Sequence, residues 1–179
     1  MKYLGSLFFL ISMLPTAVEG AVTINEIAWM GDSTSANNEW IELYNDGSAV
    51  SIDGWTLVDG DSLNISLAGI IPGGSHAVLE RTSDESAPGA AFLIYTGALK
   101  NTGATLTLRR ADGSVEDQVS GGEGWGNLGG DNTTKDTAQY TVQGWITAPA
   151  TPGASNQTEA AVTVSESTSS GSSGSARLA

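Results

Sequence analysis

Short runs in which apolar and polar residues alternate are the feature that most limits what this chain can fold into. The clearest run lies within residues 39–57, where Ile41 and Leu43 fall on one face of an extended segment and Glu42 falls on the other. Asp53-Gly54 then predicts a turn. A helix is disfavoured because this stretch is rich in aromatic and β-branched residues and contains glycines.

The same alternation recurs along the chain, separated by turn signals. Further strands are predicted at residues 21–29, 63–67, 76–80, 91–95, 105–109, 114–119 and 140–145. Asp112-Gly113 predicts a hairpin, because a tight turn of this kind favours glycine at positive φ. About eight or nine short strands without a helical period predict an all-β, immunoglobulin-like β-sandwich, with a closed barrel as the alternative. We expect its core to include Ile41, Leu43, Trp55, Leu57, Leu106 and Leu108.

The two ends of the chain differ from the middle. Lys2 precedes an apolar run at residues 3–14, and this pattern predicts that residues 1–20 are a secretory signal peptide. A retained membrane anchor is the alternative, but the run is shorter than the roughly 20 residues that cross a bilayer. Residues 157–179 are predicted to be a disordered Ser/Thr/Gly-rich tail or linker. We therefore expect a domain at 21–156 that is secreted, periplasmic or on the cell surface, without stable membrane insertion after cleavage.

Charge and cysteine content restrict the partners and the source of stability. Lysine and arginine total 7 against 20 acidic residues, which gives a net charge of -13. Such a surface repels phosphate backbones, so nucleic acid is not expected as a partner unless Arg109 and Arg110 form an isolated basic patch. The chain has no cysteine, so an exported domain would depend on core packing rather than on disulfides. We expect a monomer.

The residues that could carry catalysis do not form a recognisable set. His76 is the only histidine, and neither a Gly-x-Ser-x-Gly elbow nor a spaced pair of zinc ligands accompanies it. It is interpreted as a strand-edge residue beside a turn. Glu39 and Glu42 differ in parity along the strand, so they do not form a converging pair for glycoside hydrolysis. We expect them to be solvated at an edge or paired with Lys100 or an arginine, and we expect no enzyme activity.

Acidic loops offer one candidate ligand site. Asp59 and Asp61 flank a turn, and Asp131 and Asp136 lie in a second loop. Oxygen-rich loops of this kind can hold calcium, although the twelve-residue calcium-loop pattern is absent. Calcium at Asp59 and Asp61 is therefore a hypothesis, and no other cofactor is expected.

Tryptophans offer a second candidate. Residues 121–130 contain six glycines around Trp125, and binding residues are frequent in loops. We expect Trp125 to be exposed and, with Asn127, to contact a ligand such as a carbohydrate. The alternative is that the tryptophans fill the core, since each can bury roughly 150–250 Å².

Six short motifs follow one another between residues 22 and 156: Ile24-Asn25-Glu26-Ile27, Glu39-Trp40-Ile41-Glu42-Leu43-Tyr44-Asn45, Ile52-Asp53-Gly54-Trp55-Thr56-Leu57, Ile71-Pro72-Gly73-Gly74, Leu99-Lys100-Asn101-Thr102-Gly103, and Thr151-Pro152-Gly153 with Asn156. Together they resemble the lamin tail domain, an immunoglobulin-like β-sandwich of nuclear lamins and of many exported bacterial proteins. With the apolar leader, the resemblance is to the bacterial form. It implies a binding or structural module without catalytic residues.

The chain differs from nuclear lamins, because no coiled-coil rod and no basic localisation run precede the domain. A nuclear role is therefore not implied. The expected function is a non-catalytic module of the bacterial cell surface or envelope that binds a protein or serves as a scaffold. The alternative is a carbohydrate-binding module that uses Trp125.

Overall fold

A computed structural model of the protein describes residues 21–61 and 63–160. The predicted signal peptide at residues 1–20 lies outside the described residues, as do residues 161–179 of the predicted tail. Within the described ranges, no helix has the length and hydrophobicity that a membrane crossing requires.

The chain forms strands at nearly every position where apolar and polar residues alternate. The part of the chain that the structure describes contains twelve strands and a single turn of 3₁₀ helix at Glu123–Trp125. The strands are β1 Val22–Ala28, β2 Trp40–Asn45, β3 Val50–Ser51, β4 Thr56–Val58, β5 Asn64–Ser66, β6 Ile70–Ile71, β7 Ser75–Arg81, β8 Ala91–Tyr95, β9 Thr105–Arg109, β10 Val115–Ser120, β11 Thr137–Thr141 and β12 Gly144–Ala148.

Two sheets pack face to face. The larger has the order β12-β11-β1-β2-β7-β8 and the smaller has the order β10-β9-β4-β5, while β3 and β6 pair separately. Strands β7 and β8 are parallel, and the other pairs are antiparallel. This arrangement confirms the predicted all-β, immunoglobulin-like sandwich.

The core lies between the two sheets and contains the predicted residues. Ile41 and Leu43 face Leu79 and Ala77 on the neighbouring strand β7, and Leu57 pairs with Leu108 in the other sheet. Because side chains on one face of a strand share its parity, the alternating leucines and isoleucines of both sheets meet in the middle. All six predicted core residues are at most 5% exposed: Ile41, Leu43, Trp55, Leu57, Leu106 and Leu108.

The number of strands is larger than expected from the sequence. Two of the additional strands, β3 and β6, are two-residue segments too short to show alternation. The predicted last strand at residues 140–145 is in fact the hairpin β11–β12, which turns through Val142 and Gln143. Neither is a typical turn residue. The hairpin predicted at Asp112-Gly113 does connect β9 and β10, and Gly113 has φ 84°.

Candidate functional site

The hairpin β11–β12 carries an exposed aromatic residue, Tyr140, beside a groove. Tyr140 and Trp145 are cross-strand partners, with ring centroids 5.5 Å apart and planes inclined at 51°. Tyr140 is 47% exposed, and Val142 at the tip of the hairpin is fully exposed. We call Tyr140, Val142, Trp145 and the two grooves beside them the hairpin surface.

Two grooves lie on either side of Tyr140. One, of about 230 Å³, runs between the hairpin and strands β1 and β10, where Thr23, Asp117 and Gln118 line it. The other, of about 280 Å³, lies between the hairpin tip and residues 156–158. Tyr140 lines both grooves and separates them as a ridge. None of the described residues that line either groove is basic.

The first groove exists because β1 and β11 separate. They pair only at Glu26 with Gln139 and at Ile27 with Ala138, so the first half of β1 has no neighbouring strand on that side. On that side, carboxylates of β10 accept the hydrogen bonds that the carbonyls of a neighbouring strand would otherwise accept. The Val22 N–H donates to Glu116 Oε1 at 3.0 Å, and the Ile24 N–H donates to Asp117 Oδ2 at 2.7 Å. These bonds satisfy the free backbone donors and keep the groove open.

Residues 149–157, which we call the C-terminal strap, cross the outer face of the large sheet and support the hairpin. Asn156 Nδ2 donates to the Asn25 carbonyl at 2.9 Å and to the Tyr140 carbonyl at 2.8 Å. The Gln157 N–H donates to Gln139 Oε1 at 2.8 Å. The strap therefore bridges the opening between β1 and β11 at the base of Tyr140.

Two buried glutamates hold the strap in place. Glu26 and Glu42 are cross-strand neighbours, and both are 0% exposed. Glu26 accepts hydrogen bonds from the backbone and the hydroxyl of Thr151, at 3.0 and 2.7 Å. Glu42 Oε2 accepts the Gly153 N–H at 2.6 Å. The expectation that Glu42 is solvated or pairs with Lys100 or an arginine is wrong, because the strap covers its face of the sheet.

Burial changes the ionisation of this pair. It raises the pKa of Glu26 despite the hydrogen bonds from Thr137, Thr151 and Gln139, and it raises the pKa of Glu42 to about 7. His76 Nε2 lies 3.9 Å from Glu42 Oε1, and burial lowers the pKa of His76. Both shifts favour the neutral forms, so this contact is not a strong ion pair.

The other predicted polar residues have structural partners. Glu39 is only 4% exposed; it binds Arg81 at 3.0 Å and the Leu99 N–H at 2.7 Å. The predicted arginine partner is thus confirmed for Glu39, and the solvated alternative is wrong. His76 follows the turn before β7 and packs on Tyr44, with ring centroids 4.7 Å apart.

The expectation that Trp125 is exposed is wrong. Its side chain is 0% exposed and stacks on Trp29, with ring centroids 6.2 Å apart and planes inclined at 9°. Its Nε1 donates to the Lys100 carbonyl at 2.8 Å. The glycines let the loop close over the indole, because a Cβ on Gly121 would lie 2.5 Å from the Trp125 ring. Asn127 is exposed, but the Trp125 indole predicted to bind a ligand with it is buried.

The aspartates proposed to bind calcium already have hydrogen-bond or ion-pair partners within the protein. Asp59 Oδ1 accepts the backbone N–H groups of Asp61 and Leu63, at 2.8 and 2.9 Å, and Asp61 forms an ion pair with Lys100. Asp131 Oδ1 likewise accepts the Thr133 N–H at 2.6 Å. Across residues 21–61 and 63–160, no group of three or more His, Asp or Glu side chains is placed to hold a metal ion.

The sequence pattern does not predict the hairpin surface. Tyr140 and Trp145 differ in parity, so on a single strand they would point to opposite faces. The turn at Val142 and Gln143 reverses the chain and brings them to one face. Gly144, at φ 108°, is the one signal that could have indicated this turn.

Comparison with known proteins gives a family match. A family model described as Lamin Tail Domain matches residues 15–123, more than half of the chain. No curated protein matches the sequence. The matched segment ends before β11 and β12, so the hairpin that carries Tyr140 and Trp145 lies outside it.

Proposed function

The chain belongs to the lamin tail domain family, and from that premise we propose that it is a non-catalytic module of the bacterial cell surface or envelope that binds a protein partner. Members of the family are immunoglobulin-like, non-enzymatic domains. Export is supported by the apolar run at residues 3–14 behind Lys2. The proposed contact region is the hairpin surface.

The observation that carries this proposal is the exposure of apolar side chains on one hairpin. Tyr140 and Val142 are exposed beside two preformed grooves, whereas most large apolar side chains of the described residues are buried. Aromatic residues near grooves contribute strongly to protein interfaces, because they bury a large area at a low cost in conformational entropy. The strap and the β10 carboxylates fix the grooves before a partner binds.

Charge restricts the kind of protein segment that fits. The first groove contains Asp117 and no basic residue among those described, and the whole chain has a net charge of -13. A neutral or basic segment is therefore favoured, since an acidic one would be repelled at close range. A lysine or arginine of the partner could also lie over the Tyr140 or Trp145 ring.

Site-specific photo-crosslinking in the exporting host tests this proposal. A photoreactive phenylalanine analogue is placed at position 142 and, as the matched control, at position 70, because Ile70 is also exposed, at 62%, and lies on β6. We expect a discrete crosslinked protein from position 142 that disappears when Tyr140→Ala is added, and none from position 70. Equal crosslinking from both positions, or none from 142, would contradict the proposed surface.

A second candidate function is carbohydrate binding at the same surface. It is favoured by the Tyr140–Trp145 pair with Asp117 and Gln118 beside it, because sugars stack on aromatic faces and bond to carboxylates and amides. It replaces the hypothesis based on Trp125, whose indole is buried. A glycan array with the wild type, Tyr140→Ala and Ile70→Ala decides it. Signals lost only in Tyr140→Ala support carbohydrate binding, and identical profiles for all three reject it.

A further inference from the structure

Glu80, near the end of β7, is a buried carboxylate with an incomplete set of partners. Its side chain is 0% exposed. Oε2 accepts the N–H groups of Ser86 and Ala87, at 3.1 and 3.0 Å, whereas Oε1 has no hydrogen-bond partner among the described atoms. A buried polar atom without a partner is costly, so its environment needs an explanation.

Two residues of the loop that follows β7, Asp84 and Ser86, contact Glu80 and carry further side-chain oxygens. The Asp84 carboxyl lies within hydrogen-bond reach of the Glu80 carboxyl, and Asp84 Oδ1 also accepts the Gly89 N–H at 2.9 Å. Ser86, whose N–H already binds Glu80, has a buried Oγ that also has no partner among the described residues. A carboxylate oxygen and a hydroxyl oxygen, both unpartnered, therefore occur in one loop next to a second carboxylate.

The Glu80 carboxyl has no basic partner among the described residues. The groups that act on the Glu80 carboxyl are its buried surroundings, two backbone N–H groups and Asp84, and no basic side chain is among them. Arg81, the adjacent residue, is bound to Glu39 instead. Two carboxylates in contact need either a shared proton or a cation between them.

We propose that the loop at residues 80–89 binds a calcium ion through Glu80 Oε1, the Asp84 carboxylate and Ser86 Oγ. The ligand set consists of hard oxygens, which suits Ca²⁺ or Mg²⁺ rather than zinc. Calcium is favoured because an irregular loop can supply further carbonyl oxygens and waters at varied angles, whereas magnesium demands a near-ideal octahedron. This site is separate from Asp59 and Asp61, and it does not depend on the proposed hairpin surface.

With only two carboxylates, the site is expected to be of the weak extracellular kind. Modules with few charged ligands bind calcium at about 0.1–1 mM, a range that fits an exported protein. Binding would tie the loop to the end of β7, and it would provide the missing partners of Glu80 and Ser86.

The test is calcium-dependent thermal unfolding of the full chain after removal of metal with a chelator. Wild type, Asp84→Asn and the control Glu85→Gln are heated in CaCl₂, in MgCl₂ or in NaCl of equal ionic strength. Glu85 is exposed and adjacent in sequence, so the control removes the same charge from the same loop. We expect calcium to raise the Tm of the wild type and of Glu85→Gln, with a midpoint near 0.1–1 mM, and to leave Asp84→Asn unchanged.

Glu80→Gln gives an independent readout. Its amide can donate to Asp84 without a cation, so we expect a higher Tm than wild type in the absence of metal and no response to calcium. Equal shifts with Mg²⁺ and Ca²⁺ that persist in Asp84→Asn would indicate non-specific screening and would overturn the proposal. A wild type whose Tm does not respond to calcium would also overturn it, since the carboxyl pair would then share a proton.

Discussion

Two aromatic pairs of this domain have opposite surroundings. Trp29 and Trp125 stack almost parallel and are at most 6% exposed. Tyr140, by contrast, is 47% exposed, and its ring is tilted by 51° against the half-buried Trp145. A glycine-rich loop covers the first pair, whereas the second pair lies on the hairpin β11–β12. The first pair contributes to the stability of the sandwich, and the second belongs to the surface that we propose for partner binding.

The difference shows that the type of residue does not determine its role here. Both pairs consist of large aromatic side chains near a turn of the chain. What separates them is the backbone around them, because glycines without side chains allow close approach and a two-residue hairpin turn projects its neighbours outward. The comparison therefore predicts large effects on stability at Trp125 and large effects on binding at Tyr140.

The largest loss of stability is expected for Trp125→Ala. It removes a fully buried indole, its stacking on Trp29 and the hydrogen bond to the Lys100 carbonyl. Truncation of a buried aromatic residue costs about 3–5 kcal/mol. Urea unfolding monitored by far-UV circular dichroism measures this loss. A loss below about 1 kcal/mol, as for a surface residue, would contradict the burial of Trp125 in the core.

Substitution of the glycines around Trp125 tests how tightly the loop packs over the buried indole. A Cβ at Gly103 would lie 1.8 Å from the Gly122 carbonyl oxygen, and the residue has φ 95°. Gly103→Ala is expected to cost about 3 kcal/mol from backbone strain and overpacking together. Gly124→Ala is the control, because it has φ 57° but no atom within 4 Å of its Cβ, and it should cost only about 1 kcal/mol. Equal losses would show that the loop is not tightly closed.

The strap under the hairpin predicts a dependence on pH. The pKa of Glu42 is about 7 in the folded protein, above its ordinary value of 4.5, so the folded state binds the additional proton between these values. The contribution of this group to stability is present below pH 4.5 and is lost as the pH rises through 7. We expect a decrease in unfolding free energy on the order of 2 kcal/mol between pH 4.5 and 7.5.

Urea unfolding at several pH values checks this dependence. Glu42→Gln should flatten the decrease, because its amide does not titrate, whereas the exposed Glu85→Gln should leave it unchanged. A wild type that becomes more stable as the pH rises through this range would contradict the assignment. The raised pKa of Glu26, also caused by burial, acts in the same direction.

The smallest effect on stability is expected on the hairpin surface itself. Tyr140→Ala and Val142→Ser change exposed side chains, and substitutions of this kind usually shift stability by about 0.5 kcal/mol or less. Chemical unfolding of both variants measures this. A loss as large as that of Trp125→Ala would show that the hairpin is part of the core, and it would remove the contrast between the two pairs.

Much of the fold could be predicted from the sequence because burial on one side of a sheet leaves a pattern of period two. Ile41, Leu43, Leu106 and Leu108 are buried as that pattern predicts. The burial of the Glu42 side chain could not be predicted in this way. The residues that cover it lie about 110 positions away in sequence, as the hydrogen bond from the Gly153 N–H shows. Polar side chains buried by a distant segment look the same in sequence as solvated ones.

The candidate site was less predictable than the fold. The glycines around Trp125 are typical of an exposed loop, but here they allow the backbone to pack closely against the indole. Tyr140 and Trp145 are placed together only by a turn whose residues, Val142 and Gln143, carry no strong turn preference. Glu80, Asp84 and Ser86 meet because the loop after β7 folds back on the end of the strand, as the bonds from the backbone of Ser86 and Ala87 show.

Hydroxyl-radical footprinting of the full chain, read by mass spectrometry, tests the contrast between the two aromatic pairs most directly. Radicals oxidise aromatic side chains in proportion to their exposure, so each residue gives its own rate in the same sample. We expect rapid oxidation of Tyr140, slow oxidation of Trp29 and Trp125, and protection of Tyr140 when a solubilised envelope fraction is added. Rapid oxidation of Trp125 with a protected Tyr140 in the free protein would contradict it.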